Sequence, residues 1–89
     1  MKNDLTSEVI ERLKRATKLP GEVIAQKLRE LAINKAMRRL EAEGKSPFDI
    51  GREGFEALVA DEEKNITVSA ATRAGLASLI ALIMSLMVG

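Results

Sequence analysis

Apolar side chains recur along the chain at the three- and four-residue spacing of amphipathic α-helices. Over residues 5–18, Val9, Leu13 and Ala16 follow this spacing, and charged side chains fill most of the other positions. They form a narrow apolar stripe, which predicts a first helix that buries one face. Pro20 follows this segment and suits the first position of a second helix, where its missing N–H has no consequence.

The second helix is predicted from Pro20 to Glu43, and Gly44 is a natural terminator because glycine readily adopts positive φ. Its apolar positions form two groups on roughly opposite sides of the helix. These groups are Ile24, Leu28 and Leu31, and then Ile33, Met37 and Leu40. No glycine or proline lies between the groups, so we predict one continuous helix with two contacts along its length.

The third helix begins with the signal Ser46-Pro47-Phe48-Asp49, which has a capping serine and proline at the first helical position. Gly51 and Gly54 follow, and each costs about 1 kcal/mol inside a helix. We therefore predict a loose first turn and a firm helix from about residue 52 to residue 64. The predicted core side chains of this helix are Phe48, Phe55, Leu58 and Val59.

The fourth helix is predicted to start at Thr67 or Ser69, and the chain from Ala74 to Gly89 carries no charge. Its small and large residues separate onto two sides at helical spacing. The small side consists of Ala70, Ala74, Ala77, Ser78, Ala81 and Ser85. The large side consists of Leu76, Leu79, Ile80, Ile83, Leu86 and Met87.

This charge-free stretch must leave water by docking, and two destinations fit its pattern. As a membrane tail anchor, residues 70–89 just reach the ~20 residues that span a bilayer, with Arg73 extending to the interface. As the core of a soluble helical homo-oligomer or complex subunit, its large side would be buried in protein. The tail anchor is the preferred interpretation. The predicted membrane or partner interface is Ala74, Leu76, Ala77, Leu79, Ile80, Ala81, Ile83, Leu86 and Met87.

Composition narrows the function classes. The 89 residues include no Cys, His, Trp or Tyr. Disulfides and the usual zinc ligands are therefore excluded, and so are the two commonest nucleophile and proton-transfer groups at neutral pH. We predict a non-enzymatic protein with no catalytic residues, no metal site and no cofactor. A chain this short has a marginal core of its own, which favours association with a partner.

Charge is distributed unevenly although the net charge is only +1. Residues 1–39 hold ten Lys and Arg against five Asp and Glu, a net +5, whereas residues 40–66 hold eight acidic against three basic residues, a net −5. The favoured interpretation is that the two segments fold against each other as surface ion pairs. The alternative is a face for an anionic lipid or nucleic acid, formed by Lys27, Lys35, Arg38 and Arg39.

Part of the second helix resembles a GntR-type winged-helix DNA-binding domain. The resemblance consists of Leu19-Pro20 and of the segment 36–44, which ends in Leu-Glu-Ala-Glu-Gly, and it covers about a quarter of the chain. It implies that Lys35, Arg38 and Arg39 contact phosphates and bases. Nucleic acid is nevertheless the least favoured of the predicted partner classes.

These patterns together predict an all-α fold of three amphipathic helices and one hydrophobic C-terminal helix. Residues 1–66 form the charged amphipathic region and residues 67–89 form the hydrophobic helix. The predicted function is that of an adaptor or assembly subunit that binds a protein, itself or a membrane through its last helix. The first fifteen residues are charged and amphipathic and lack the apolar core of a secretion signal, so a cytoplasmic location is expected.

Overall fold

Four α-helices dominate the part of the chain that the structure, a computed structural model, describes. The described residues are 4–88, and no strand occurs among them. The helices are α1 (Asp4–Thr17), α2 (Gly21–Ala42), α3 (Pro47–Ser69) and α4 (Arg73–Val88). The all-α prediction is therefore confirmed. Residues 1–3 of the predicted region 1–66 and residue 89 of the predicted region 67–89 lie outside the described residues.

One apolar core receives side chains from every helix. Its largest fully buried side chains are Val9 and Leu13 of α1, Ile24 of α2, Val59 of α3 and Ile83 of α4. Burial of each such side chain contributes about 1.5–3 kcal/mol relative to exposure. The predicted stripe of α1 is confirmed at its first two positions.

The third position of that stripe, Ala16, is exposed in the last full turn of α1, so its predicted burial is wrong. Lys18 directly follows the helix with a φ of +62°, and its N–H donates to the carbonyl of Lys14 at 2.7 Å. The chain therefore leaves the helical path just after Thr17, one residue beyond Ala16. The apolar residue that packs against the core at this end is Leu19, beyond the helix.

Helix α2 is continuous from Gly21 to Ala42, as predicted. Its buried residues are Ile24, Leu28, Leu31, Ala32, Ala36 and Leu40. Five of these six recur at every fourth position. Each of these side chains therefore points about 40° further around the helix axis than the one before it. The buried stripe therefore winds gradually around α2, and the two alanines connect the apolar groups seen in the sequence. Residues 21–42, which connect the two parts of the segment that resembles a winged-helix domain, form one uninterrupted helix.

Helix α3 begins with a separate turn, as predicted. The N–H of Ser46 donates to the carboxylate of Asp49 at 2.7 Å, which caps the turn. Gly51 then leaves the helical region with φ of +77° and ψ of 173°, a conformation that favours glycine. Beyond this kink the helix runs to Ser69, five residues past the predicted end at Lys64.

The kink also determines which predicted core residues of α3 reach the core. Val59 is fully buried, and Phe55 and Leu58 are half-buried against the core. Phe48 is 95% exposed, so its predicted burial is wrong. Phe48 lies before Gly51, and the non-helical backbone there separates its turn from the face of α3 that packs on α2.

The predicted start of the fourth helix at Thr67 or Ser69 is also wrong. Thr67 is buried inside α3, and its hydroxyl donates to the carbonyl oxygen of Glu63 at 2.9 Å instead of capping a helix. The cap of α4 is Thr72, whose hydroxyl accepts the N–H of Gly75 at 3.0 Å. Several residues near this junction have side chains that can cap a helix. Thr67 does not, because it is buried inside α3.

Ion pairs join the basic helix α2 to the acidic helix α3, as the charge distribution predicts. Arg29 contacts Glu56 at 2.9 Å, and Arg39 contacts Asp61 at 3.3 Å and Glu62 at 3.2 Å. The hydrogen bond that Arg29 donates to Glu56 raises the pKa of Arg29, and the hydrogen bonds that Arg39 donates to Glu62 and Asp61 raise the pKa of Arg39. Apart from Glu62, the side chains of these pairs are exposed, so each pair adds little to stability.

Candidate association surface on α4

The large side of α4 packs against the protein's own core. Leu79 and Ile83 are buried, and three further side chains of the same side are half-buried against the core. These three are Leu76, Ile80 and Leu86. Five of the nine predicted interface residues therefore pack in or against the interior of the single chain, and the exposed residues of α4 lie mostly on its other side.

The opposite side of α4 is exposed along the length of the helix. We call it the outward face and define it by Ala74, Ala77, Ala81, Met84 and Ser85, all of which are exposed. At 100° per residue these five positions fall within an arc of about 100°. Three of the predicted interface residues, the alanines, belong to this face.

Large apolar side chains extend the outward face. Met84 is 44% exposed, and Leu82 and Met87, which flank the face on either side, are 47% and 45% exposed. Met87 is the remaining predicted interface residue. No charged residue occurs between Ala74 and Val88. A contiguous apolar surface of this kind is typical of an interaction site, whereas isolated exposed apolar residues need no explanation.

The junction between α3 and α4 orients this face. A Cβ added to Gly75 would overlap the carbonyl oxygen of Ser69 and would approach the hydroxyl of Thr72. Gly75 is therefore required for the close approach of the two helices. Beside this junction a cleft of about 240 Å³ separates α4 from α2 and α3, with Leu31, Ile66 and Leu82 among its lining residues.

The four predicted anion-contacting residues do not share one environment. Lys27 pairs with Glu30 at 3.5 Å, and Arg39 pairs with the acidic residues of α3. Lys35 and Arg38 are exposed, and Lys35 lines the cleft beside α4. Two of the four predicted anion-contacting residues, Lys27 and Arg39, thus already form ion pairs within the chain.

The residues that the structure describes include no group of three or more Asp or Glu side chains able to hold a metal ion. Within the same residues, no helix combines the length and the apolarity needed to cross a bilayer.

Comparison with family models, curated proteins and solved structures finds no match. Among the described residues, the outward face of α4 is the longest stretch of helix surface without charge.

Proposed function

We propose that the chain is a non-catalytic helical assembly subunit that associates with a second copy of itself through the outward face of α4. The observation that carries this proposal is the exposed, uncharged surface of Ala74, Ala77, Ala81 and Met84 on a helix whose large side is already packed inside. Membrane anchoring by the same helix stays a prediction, and one arm of the experiment below tests it.

The absence of charge on this face favours a second copy as the partner. In a two-fold symmetric contact the same patch lies on both subunits, so a charge near the axis meets its own copy and is repelled. The outward face carries no charged residue, so two copies of it do not repel each other. Alanine and serine side chains also let two helix backbones approach closely, which increases the van der Waals contact between them.

Arg73 favours an antiparallel arrangement of the two α4 helices. It is exposed at the first position of α4, where its charge is unfavourable beside the positive end of the helix dipole. In an antiparallel pair, Arg73 of each copy lies near the C-terminal end of the other copy's α4. That end is negative, so the pairing replaces an unfavourable interaction with a favourable one.

The size of this contact indicates reversible association. The 16 residues of α4 span about 24 Å at 1.5 Å per residue. A contact between two helices of this length is small beside the roughly 1,200–2,000 Å² that stable interfaces bury. We therefore expect a dimer that forms at high protein concentration and dissociates on dilution.

Ala81→Lys is expected to abolish this association. Ala81 is exposed and lies close to the middle of α4, so two new ammonium groups would face each other across the contact. Two like charges about 4 Å apart repel by ~1 kcal/mol even in water, and the longer side chains also separate the helices. Sedimentation velocity over a concentration series measures the dissociation constant, which should rise at least tenfold.

Ala16→Lys is the matched control, because Ala16 is an exposed helical alanine of α1 among charged residues. It should leave the dissociation constant unchanged. If Ala81→Lys and Ala16→Lys sediment like the unmodified chain at every concentration, the proposal is wrong. If instead the unmodified chain floats with anionic liposomes and Ala81→Lys does not, the helix docks in lipid and self-association is not its function.

Arg73→Glu is expected to have opposite effects on folding and on association. A glutamate at the first position of α4 suits the positive end of the helix, so the free energy of unfolding of the monomer should rise by about 0.3–1 kcal/mol. The same change places two acids near the negative ends of the partner helices and weakens an antiparallel dimer. Thermal unfolding of dilute protein and sedimentation at high concentration measure the two effects separately. An unchanged dissociation constant would contradict the antiparallel arrangement. In a parallel pair residue 73 faces its own copy, so the change only replaces two facing positive charges with two facing negative charges.

A further inference from the structure

The junction between α3 and α4 lacks the residues that end the first two helices. After α1 the chain turns at Lys18 with a φ of +62°, and after α2 it turns at Gly44 with a φ of +72°. Pro20 and Pro47 then lie at the starts of the next helices. Residues 70–72 are Ala-Ala-Thr, and none of the positive-φ residues of the described chain lies there. Because alanine is the strongest helix former, the local sequence favours continuation of α3 into α4.

The backbone departs from helical geometry at this junction over only a few residues. Ala70 keeps a right-handed helical conformation, with a φ of −74°. The N–H of Ala71 then donates to the carbonyl oxygen of Val68 at 3.1 Å. The N–H of Thr72 donates to the carbonyl oxygen of Ser69 at 3.3 Å. These bonds join residues three apart, whereas α-helical bonds join residues four apart. Rotation of the backbone at residues 71 and 72 would therefore join the two helices into one.

Gly75 shows that the bent junction depends on tertiary packing. A Cβ on residue 75 would overlap the carbonyl oxygen of Ser69, because α4 begins close beside the end of α3. In a continuous helix the two residues lie about 9 Å apart along the axis, so the overlap disappears. The bent junction therefore requires glycine at position 75, whereas a continuous helix disfavours it.

A helix α4 that leaves its own core needs the same burial elsewhere. Leu79 is 4% exposed and Ile83 is 0% exposed, and both belong to the core that all four helices share. Release of α4 exposes these side chains to water and leaves an apolar gap among α1, α2 and α3. A second copy that has released its α4 has the identical gap. The surface that fits the released helix is therefore the one that the structure shows around α4 in a single chain.

We propose that two copies of the chain exchange their α4 helices. In the exchanged dimer, residues 52–88 of each copy form one continuous helix, and α4 of each copy packs into the core of the other. The core contacts of Leu79 and Ile83 are the same in the monomer and in the dimer, so the two forms differ mainly at the junction. Exchange of an identical element is a low-cost route to a dimer for this reason.

This exchange goes beyond the contact of the outward face, because it uses the buried side of α4. The two dimers also differ in lifetime. Return of an exchanged dimer to monomers requires α4 to leave the core and to expose Leu79 and Ile83. We therefore expect exchanged dimers to persist after dilution, whereas dimers formed by the outward face dissociate.

Gly75→Ala is expected to promote the exchange. The added methyl group destabilises the bent junction and stabilises the continuous helix. The variant is made in the Ala81→Lys background, which removes association through the outward face. Concentrated protein is warmed, cooled and diluted, and size-exclusion chromatography measures the persistent dimer. The ratio of dimer to monomer should rise by about tenfold or more over that of Ala81→Lys alone. Gly21→Ala in the same background is the control and should leave the ratio unchanged.

Thr72→Ala should also raise this ratio, and it introduces no clash. The hydroxyl of Thr72 accepts the N–H of Gly75 at 3.0 Å and caps α4 where it begins as a separate helix. Its removal destabilises only the bent junction, and alanine also suits the interior of a continuous helix better than threonine. If neither Thr72→Ala nor Gly75→Ala raises the proportion of persistent dimer, the exchange does not occur.

Arg73→Pro is expected to prevent the exchange. Residue 73 is the first residue of α4, where proline is tolerated because the N–H there has no partner within the helix. In a continuous helix the same proline cannot donate to Ser69, and its ring clashes with that carbonyl group. Arg73→Ala is the matched control, since it removes the same charge and keeps the N–H. Both are made in the Thr72→Ala, Ala81→Lys background. Proline should eliminate the persistent dimer and alanine should retain it, and equal dimer fractions overturn the proposal.

A distance within one copy identifies the exchanged form directly. The sequence has no cysteine, so Arg52→Cys and Ser85→Cys, both at exposed positions, introduce the only two sites for spin labels. In a continuous helix these residues lie about 50 Å apart, whereas the Cα atoms of the described chain extend 39 Å along the longest axis. Double electron–electron resonance on labelled copies mixed with excess unlabelled protein measures this distance. Persistent dimers that keep the shorter distance of the monomer overturn the exchange. Dilution of the chain that retains Ala81 tests the outward face separately, so either proposal can fail without the other.

Discussion

Ile83→Ala is expected to destabilise the fold by about 2–5 kcal/mol, the range for truncating a large buried aliphatic side chain. Ile83 is 0% exposed and lies in the core formed by all four helices. The variant loses both the buried methylene groups and the contacts of the atoms that surrounded them. For a chain of this size the loss is a large fraction of a total stability of about 5–10 kcal/mol. Urea unfolding monitored by circular dichroism measures it.

Leu82→Ala is the control for this prediction, because Leu82 is the adjacent residue of α4 and is 47% exposed. Its truncation should cost about 1 kcal/mol or less, since much of its side chain already contacts water. Equal losses for the two variants, measured in dilute monomer, would mean that the large side of α4 is not the side buried in the single chain. The outward face would then have been assigned to the wrong side of the helix.

Gly75→Ala is expected to have the next largest effect, a loss of about 1–3 kcal/mol. The added methyl group would overlap the carbonyl oxygen of Ser69, and this atom belongs to the backbone and cannot rotate away. Helix α4 must therefore move away from the end of α3, which weakens the packing of Leu79 and Ile83. Urea unfolding measures the loss, and faster proteolysis within α4 should accompany it.

Gly21→Ala is the matched control, since Gly21 also lies in the first turn of a helix. An alanine Cβ at this position meets Lys14 at 3.6 Å, an ordinary van der Waals distance. The substitution should be neutral or should stabilise the protein by up to about 1 kcal/mol, because alanine favours helix formation. A Gly75→Ala variant as stable as Gly21→Ala would show that α3 and α4 approach each other less closely.

The helices of this protein could be predicted well where their signals are local. The continuity of α2 followed from the absence of glycine and proline, and the loose start of α3 followed from Gly51. The pairing of α2 with α3 through surface ions followed from the opposite charges of two long segments, although the sequence did not single out Arg29 and Arg39. Each of these features depends on residue type and spacing, and both are visible in the chain.

The errors occurred where a residue type fits two positions equally well. Thr67 and Thr72 can both cap a helix, and the burial of Thr67 inside α3 decides between them. Phe48 has the side chain of a core residue but lies on the far side of the kink at Gly51. The requirement for glycine at position 75 has no local signal, because the clashing atom belongs to a turn formed by packing.

The two sides of α4 were predicted, but the sequence left open whether its large side is buried in lipid or in protein. The sequence by itself determined that α4 carries no charge after Arg73 and must be buried on at least one side, since its residue types and 3.6-residue period are local properties. It also excluded disulfides and the usual zinc ligands by composition. Only the tertiary structure decided that Leu79 and Ile83 pack in the chain's own core, that Ala77 and Ala81 stay exposed, and that Phe48 is exposed. The sequence separates a small side of α4 from a large side, but contacts with distant parts of the chain determine whether the large side packs on lipid, on a partner or on the chain's own core.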